Sequence, residues 1–204
     1  MRLLLYLVAD PDHAGGRPLL EVVDSALRGG VTAVQLRSKR ASPRDLLATG
    51  AEVRDLARRH GAMFLVNDRP DLALALEADG AHLGPDALPP SEARKLLPSP
   101  AILGVSVSTL EEAARAEQEG ADYLGAGPVF RTATKEDAGE PLGLDLLARI
   151  AASVRIPVVG IGGITLANAV SVCPAGMSSS CRPSTMTLVG APQNGPGRRW
   201  LHSF

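Results

Sequence analysis

Cysteine is scarce in this sequence, and the two residues present are not placed to bind a metal. Cys173 and Cys181 both lie in the last quarter of the chain, and their spacing is not that of a Cys-x-x-Cys pair. No histidine lies near enough to complete a zinc site with them. We therefore interpret both as incidental thiols.

An excess of charge of either sign is also absent. The chain has 21 Lys and Arg residues against 22 Asp and Glu residues, which gives a formal net charge of -1. General nucleic-acid binding requires an excess of positive charge. The composition therefore argues against a nucleic-acid-binding protein, while a homo-oligomer stays open.

Long apolar runs are missing as well, and no run is long enough to span a membrane. The short run from Leu3 to Val8 leads directly into Ala9-Asp10-Pro11, a loop and not the cleavage site of a signal peptide. These features predict a cytoplasmic protein without a membrane partner.

Short apolar strands alternate with amphipathic helices up to Val172, in units of roughly 25 to 30 residues. Such alternation predicts parallel strands joined by right-handed crossovers, and strands covered on both faces need not alternate in polarity. An eight-stranded barrel and an open doubly wound sheet both fit this pattern. No glycine-rich fingerprint follows the first strand, which disfavours a dinucleotide-binding sheet. We therefore predict an α/β fold of the TIM (β/α)8 barrel type.

The character of the sequence changes after Val172. Residues 173–204 lack helical periodicity and are dense in Pro, Gly and Ser. We expect a barrel domain at 1–172 and an atypical C-terminal tail at 173–204, without a normal eighth strand or closing helix. Thr185 to Val189 is the one short apolar segment in this tail. The abrupt change, within a helix predicted from Thr165, leads to the hypothesis that the tail is translated out of frame.

Polar residues cluster where the second predicted strand ends, which is where barrels carry their reactive groups. Alternation along the strand sends Gln35, Arg37 and Lys39 to the same side. Arginine grips phosphate oxygens in a fork and lysine adds a point charge, so the three suit a phosphate or pyrophosphate. The alternative is an ordinary solvated basic turn.

The next strand ends offer a carboxylate, an imidazole and hydroxyls. Asp68, after Asn67, is suited to Mg²⁺, which binds through one or two carboxylates plus substrate oxygens; the alternative is a helix cap. A lone histidine such as His82 is more often structural than catalytic. Ser106 and its neighbour Ser108 are placed either to orient a ligand or to cap the helix that follows Thr109.

Two later segments predict a second anion site. The long polar loop from Phe130 to Leu142 carries two threonines and a lysine and is typical of a phosphate clamp or lid. The seventh strand ends in Gly160-Ile161-Gly162-Gly163, where glycines let backbone N–H groups approach an anion. In barrels, phosphates often bind between strands seven and eight.

Seven segments together resemble the thiamine phosphate synthase and TenI-like family, over residues 3 to about 170 and in the family's order. These segments are Gln35–Lys39, Asn67–Asp71, Ala78–Gly84, Gly104–Ser106, Ala121–Phe130, Thr132–Lys135 and Pro157–Ile164. The resemblance implies a transferase on a TIM barrel. It would join hydroxymethylpyrimidine pyrophosphate to a thiazole phosphate with the help of Mg²⁺, and release pyrophosphate.

The resemblance also implies roles for matched positions. The pyrophosphate group would be held by Arg37, Lys39, Asn67 and Lys135. The pyrimidine would contact Gln35 and Ser106, and the thiazole phosphate would contact Thr132, Thr134, Gly162 and Gly163. Lys135, Arg37 and Ser106 would be the catalytic groups, because cations stabilise the charge that develops on the leaving group.

The segment after the fourth strand departs from the family pattern. The family usually has His-x-Gly-Gln-acid-Asp, and its last Asp binds metal; here that position is Ala87 and the Gln position is Pro85. Asp86 lies one residue earlier, so we take Asp68 and Asp86 as the candidate metal ligands.

This departure keeps two alternatives to the synthase open. One is a TenI-like thiazole tautomerase, although Pro128 stands where that branch can place a catalytic histidine. The other is a non-catalytic barrel that binds thiamine precursors.

Overall fold

A computed structural model of the chain describes residues 3–132, 139–165, 167–172 and 185–189, the last of these by its backbone. The strands are β1 Leu5–Ala9, β2 Ala33–Leu36, β3 Met63–Asn67, β4 Gly80–Leu83, β5 Ile102–Val107, β6 Tyr123–Ala126, β7 Val158–Gly160 and β8 Thr185–Val189. The helices are α1 Leu19–Arg28, α2 Pro43–Arg59, α3 Pro70–Ala75, α4 Pro90–Leu96, α5 Leu110–Gln118, α6 Gly143–Ser153 and α7 Ala169–Val172. A short 3-10 turn, Pro11–His13, follows β1.

The eight strands form a closed parallel barrel in which each strand pairs with the next one in sequence. The predicted TIM barrel is therefore confirmed. The part of the prediction that denied the barrel a normal eighth strand needs correction, because Thr185–Val189 pairs with both β7 and β1. Backbone hydrogen bonding does not require particular side chains, so a short apolar segment is sufficient to close the barrel. The rest of the tail, with the cysteines and the position of a closing helix, lies outside the described residues.

Two helix starts are capped by hydroxyl side chains. Ser42 Oγ accepts the backbone N–H of Asp45 at 3.2 Å, with Pro43 at the first helical position. Thr109 Oγ1 accepts the N–H of Glu112 at 3.1 Å. The Glu112 carboxylate reaches back to Ser108, so Ser108 belongs to this cap. Across the described residues, no helix combines the length and the apolar character of a membrane span.

The last described helix is shorter than the sequence predicts. It starts at Ala169 and not at Thr165. The Asn168 carboxamide accepts the N–H of Thr165 at 2.6 Å and donates to the carbonyl of Gly163 at 3.0 Å. The Asn168 side chain thus satisfies a backbone donor and a backbone acceptor that lie just before the helix.

Three apolar clusters make up the core, and they correspond to the two faces of the barrel wall. Two clusters lie between the strands and the surrounding helices. The third fills the barrel interior with side chains such as Tyr6, Val8, Leu65 and Tyr123. Alternation along β1 explains the division, since Tyr6 and Val8 point inward while Leu7 packs outward.

Two aspartates at strand starts tie neighbouring strands together. Asp79 accepts the N–H of Phe64 at 2.7 Å, and Asp122 accepts the N–H of Leu103 at 2.7 Å. Asp122 also accepts a hydrogen bond of 2.6 Å from Arg94 Nη2 of α4. These aspartates therefore satisfy backbone donors that the strand ladder leaves unpaired.

We expect Asp122→Ala to lower the free energy of unfolding by about 1.5 to 3 kcal/mol, because it removes a charged acceptor from the buried Leu103 and from Arg94. Urea denaturation followed by circular dichroism measures the change. Asp55→Ala is the matched control, since Asp55 forms an exposed ion pair with Arg54 and should contribute at most about 1 kcal/mol. Equal effects of the two substitutions would contradict this role for Asp122.

Candidate active site

A cavity of about 500 Å³ lies at the carboxyl ends of the barrel strands. This volume is within the range of small-molecule sites, and the position is where TIM-barrel enzymes carry theirs. Nine of the site residues predicted from the sequence line it: Gln35, Arg37, Lys39, Asn67, Asp68, Asp86, Ser106, Thr132 and Gly162.

Three predicted site residues are not among the described cavity-lining residues. Thr134 and Lys135 lie outside the described part of the chain. Gly163 lies beneath the loop that follows β6: a Cβ there would approach the carbonyl oxygens of Phe130 and Arg131 to 2.6 and 2.7 Å. Its φ of +68° also favours glycine, so its place in the fold has a local structural reason.

Asp10, a residue that the sequence analysis did not select, holds Arg37 at the cavity wall. Asp10 is only 6% exposed, and its carboxylate accepts hydrogen bonds from Arg37 Nη1 and from the N–H of Asp12. His13 Nδ1 lies 3.4 Å from the same carboxylate. Arg37 is therefore paired with a buried carboxylate, unlike a residue in a solvated basic turn. The sequence feature that could have identified Asp10 is its position directly after β1.

Asp68 has an unusual backbone conformation that directs its carboxylate across the ends of β3 and β4. Its φ of 57° lies in the left-handed region, which is uncommon for residues other than glycine. One carboxylate oxygen accepts the N–H of Gly84 at 2.6 Å, and the other accepts from Asn67 Nδ2 at 2.7 Å. The N-cap of α3 is Arg69, which makes no side-chain cap bond. Asp68 is therefore not the helix cap that was the alternative interpretation.

The turn after β4 separates Asp86 from Ala87. Asp86 lines the cavity, whereas the Ala87 side chain packs against the cluster between barrel and helices. The turn is closed by a 3.2 Å bond from the N–H of Ala87 to the carbonyl of Gly84. Asp86 and Asp68 thus face one cavity, although within the described ranges no group of three or more His, Cys, Asp or Glu side chains is arranged to hold a metal ion.

A chain of polar side chains forms the cavity floor within the barrel. Gln35 Nε2 donates to the Tyr6 hydroxyl at 2.8 Å, and the hydroxyls of Tyr6 and Tyr123 lie 2.9 Å apart. His82 Nδ1 lies 2.8 Å from the Tyr123 hydroxyl, and its Nε2 lies 3.0 Å from Ser106 Oγ. The inward-facing positions of five strands thus form one continuous hydrogen-bonded row.

Burial raises the pKa of the Tyr6 hydroxyl far above its ordinary value, although hydrogen bonds with Tyr123 and Gln35 lower the pKa in part. Burial raises the pKa of Tyr123 as well, and the neighbouring Tyr6 adds to this increase. Both phenols therefore keep their protons over the range in which most enzymes operate.

The far side of the cavity is formed by close contact between the ends of β6 and β7. A Cβ on Gly127 would lie 2.3 Å from the carbonyl oxygen of Ile161, and one on Gly162 would lie 2.7 Å from Pro128 Cβ. Gly162 also has a φ of +94°. Only residues without a side chain allow the two loops to meet here, which brings the backbone of Gly162 to the cavity surface.

A closed parallel barrel whose strand ends surround one polar cavity has the architecture of the TIM-barrel enzymes. Cations and carboxylates in the lining of one cavity further indicate a class that acts on phosphorylated compounds. A family model described as thiamine monophosphate synthase matches residues 5–184. The chain belongs to this family.

Over most of its length, the chain is similar to proteins named thiamine-phosphate synthase. The chain is 54% identical to a thiamine-phosphate synthase of Moorella thermoacetica over 172 residues, which cover 84% of this chain and 82% of that relative. It is 46% identical to a thiamine-phosphate synthase of Roseiflexus sp. over 200 residues, which cover 98% of this chain and 84% of the relative.

Solved structures show the same fold. The thiamine phosphate pyrophosphorylase from Pyrococcus furiosus has a TM-score of 0.79 and 42% identity, covering 92% of this chain and 85% of that one. An N-acetylmannosamine-6-phosphate 2-epimerase from Clostridium perfringens, at 14% identity and a TM-score of 0.63, shares the fold alone.

Tyr6 and Tyr123 are the only two tyrosines in the sequence, so tyrosinate absorbance reports on the cavity floor alone. Since burial raises both pKa values in the folded state, the unfolded chain ionises first, at a pH of about 10. The contribution of the two tyrosines to folding stability is fully present below that pH. Above it, the free energy of unfolding should fall by about 2.7 kcal/mol per pH unit, because two tyrosines lose their protons in the unfolded chain.

Alkaline titration of the native protein, followed by tyrosinate absorbance, should show no ionisation near pH 10. The same protein in concentrated denaturant should show two ordinary tyrosines. Reversible ionisation of either tyrosine near pH 10 in the native state would contradict the buried arrangement.

Proposed function

We propose that this chain is a thiamine-phosphate synthase that joins hydroxymethylpyrimidine pyrophosphate to thiazole phosphate and releases pyrophosphate. The observation that carries the proposal is the division of one cavity into two kinds of surface. Arg37, Lys39, Asp68 and Asp86 supply charged groups to its lining, while Gln35 and Ser106 belong to the neutral polar floor. A charged leaving group and an uncharged heterocycle in one substrate match these two surfaces.

The pyrophosphate end of the substrate would be held by Arg37, Lys39 and Asn67. The Arg37 guanidinium is kept in place by the buried Asp10, so it need not be ordered when the substrate arrives. Fixed cations stabilise the negative charge that develops as the bond from carbon to pyrophosphate oxygen breaks. We assign Lys135 to the same group by its matched position in the family.

The carboxylates of Asp68 and Asp86 fit Mg²⁺, which prefers hard oxygen donors and is commonly held by one or two carboxylates plus substrate phosphate oxygens. Each Asp68 oxygen accepts one hydrogen bond and keeps lone pairs for a cation. When bound, the metal would offset the charge of the leaving pyrophosphate. Asp86, which faces the cavity, replaces the aspartate that the family usually carries one residue later.

The pyrimidine ring would lie against Gln35 and Ser106, and the thiazole phosphate against Thr132, Thr134 and the glycines at 162 and 163. The reaction then needs no nucleophile from the protein. Pyrophosphate leaves, and the thiazole nitrogen supplies the electron pair for the new bond to carbon. The protein holds the two substrates in register and stabilises charge, a contribution that proximity and electrostatics supply together.

A tautomerase activity is the less favoured alternative. It requires a group that moves a proton, and the position at which tautomerase relatives can carry a histidine is Pro128, which lines the cavity without a titratable group. An assay with both substrates and Mg²⁺ tests the proposal through formation of thiamine phosphate. Conversion of the thiazole tautomer without coupling would support the alternative, and binding without either reaction would indicate a non-catalytic barrel.

Arg37→Ala should weaken pyrophosphate binding by about 1.5 to 3 kcal/mol, because the substitution removes charge-assisted hydrogen bonds. Isothermal titration calorimetry with inorganic pyrophosphate and Mg²⁺ measures the change. Arg40→Ala is the matched control, since the Arg40 side chain is 84% exposed and pairs weakly with Asp12. Unchanged affinity in Arg37→Ala would place the anion site elsewhere.

Asp68→Asn and Asp86→Asn should each weaken Mg²⁺ binding in the presence of pyrophosphate by at least about tenfold, because each replaces a charged ligand by a neutral one. Titration with Mn²⁺ as a paramagnetic probe measures the affinity. Ala87→Asp discriminates between neighbouring positions. Its side chain would enter the apolar cluster, so it should lower stability without tightening metal binding. Tighter binding in Ala87→Asp would show that a side chain at position 87 reaches the metal site, contrary to the packing of Ala87.

A further inference from the structure

The short turn after β1 folds His13 back onto the carboxylate of Asp10. Asp10 is the N-cap of this turn, and Pro11 occupies its first position. The Asp10 oxygen Oδ1 accepts the N–H of Asp12 at 3.0 Å, and the Asp10 carbonyl accepts the N–H of His13 at 3.0 Å. The turn therefore holds an imidazole close to the aspartate and leaves the second carboxylate oxygen to face other groups.

That second oxygen, Oδ2, faces two side chains that carry nitrogen. It accepts a hydrogen bond from Arg37 Nη1, and His13 Nδ1 lies 3.4 Å from it. The Nδ1 atom is buried and has no hydrogen-bond partner among the residues that the structure describes. An ionised carboxylate only accepts hydrogen bonds, so a lone pair on Nδ1 would face the lone pairs of Asp10. A hydrogen on Nδ1 is therefore favoured, because the buried nitrogen then gains an attractive contact.

The other edge of the His13 ring faces away from Asp10, because Nε2 and Cδ2 lie opposite Nδ1 in an imidazole. The side chain is 35% exposed although Nδ1 is buried, and His13 belongs to the cavity lining. Its exposed surface therefore comes from the atoms other than Nδ1. With hydrogen on Nδ1, a neutral His13 has an acceptor at Nε2 and can take up a proton there.

The charges around His13 come from the segments that follow β1 and β2. Five charged side chains belong to these segments: Asp10, Asp12, Arg37, Lys39 and Arg40. Asp10 forms an ion pair with Arg37, and Asp12 lies 3.7 Å from Arg40. Two carboxylates thus offset two of the three cations. A bound pyrophosphate carries several negative charges, so it favours an additional proton on a nearby imidazole.

We propose that His13 is a further binding residue of the pyrophosphate site, held by Asp10 through Nδ1 and donating to the anion from a protonated Nε2. The anion is thus bound together with one proton. The inference rests on the proposed function and deepens it, because it adds a proton-dependent donor to Arg37 and Lys39. A cationic N–H in this place stabilises the charge of the departing pyrophosphate.

The proposal gives pyrophosphate affinity a definite dependence on pH. Imidazoles change charge between about pH 5 and pH 8. Because the anion binds imidazolium more tightly than neutral imidazole, the contribution of His13 is fully present at the acidic end of this range and is lost as the pH rises. A histidine that only packs against Asp10 would contribute to binding without following the pH in this way.

Isothermal titration calorimetry with inorganic pyrophosphate and Mg²⁺ compares wild type with His13→Gln at about pH 6 and about pH 8. At the lower pH the wild type should bind at least about tenfold more tightly, which corresponds to about 1.4 kcal/mol. At the higher pH the two affinities should converge. Changes of charge on pyrophosphate, or on His82, which also lines the cavity, are common to both proteins and cancel in the ratio. A ratio that stays constant between the two pH values would overturn the proposal.

His60→Gln is the matched control. His60 Nε2 lies 3.5 Å from Asp24 Oδ1, and its side chain is 30% exposed, yet His60 is not among the cavity-lining residues. Its removal should leave pyrophosphate affinity equal to that of the wild type at both pH values. The same pH-dependent loss in His60→Gln would indicate a general effect of charge and would also overturn the assignment to His13.

Histidine labelled with ¹⁵N tests the protonation of the ring without the synthase reaction. The sequence has four histidines, and the spectrum of His13→Gln identifies the signal of His13. Two-bond ¹H–¹⁵N correlations should show hydrogen on Nδ1 in the neutral ring. At a pH where the ring is neutral in the unliganded protein, pyrophosphate should convert it to the doubly protonated form.

A neutral ring with its hydrogen on Nε2, or a ring that stays neutral when pyrophosphate binds, contradicts the proposed role of His13. Failure of the coupling assay has a separate meaning. If pyrophosphate binds with the predicted pH dependence and protonates His13 but no thiamine phosphate forms, only the proposed function is overturned.

Discussion

The parallel pairing of the eight strands is the constraint on which the rest of the structure depends. Because every strand runs in the same direction, residues that are distant in sequence reach one rim. Asp10, Arg37, Asp68, Asp86 and Ser106 follow or end different strands and still line the same cavity. None of the described residues that line the cavity lies on helices α1 to α7, so this part of the site is built from strand ends and the loops that follow them.

The barrel interior imposes a second condition, because any polar group placed there must find a partner. Gln35, His82 and the two tyrosines satisfy one another in a row, although all are almost fully buried. A buried row of this kind costs free energy when some of its polar groups lack partners, and it is rigid when all of them are paired. The same logic applies at the rim, where Asp10 orders Arg37 and Gly84 orders Asp68 before a ligand arrives. Preorganised polar groups are the common feature of floor and wall.

The sequence predicted the barrel and most strand ends, because helix caps, glycine stops and apolar strands are local signals. It also selected residues such as Arg37, since alternation determines which side chains share a face. It missed Asp10, whose importance depends on a partner 27 residues away, and it could not show that Ala87 faces the core while Asp86 faces the cavity. Those facts depend on tertiary contacts and on the form of one turn, which no local pattern encodes.

Strand β8 shows that the fold and the site differ in what they demand of the sequence. Pairing of β8 with β1 and β7 uses backbone groups, which every residue except proline provides in full, so Thr185–Val189 closes the barrel without a particular motif. An anion site is different, because it needs specific donors at fixed distances. Our proposal that 173–204 is an atypical, out-of-frame tail is therefore compatible with a closed barrel. If that proposal is right, its consequence falls on the proposed thiazole phosphate site, because barrels frequently bind phosphate with the loops that follow strands seven and eight.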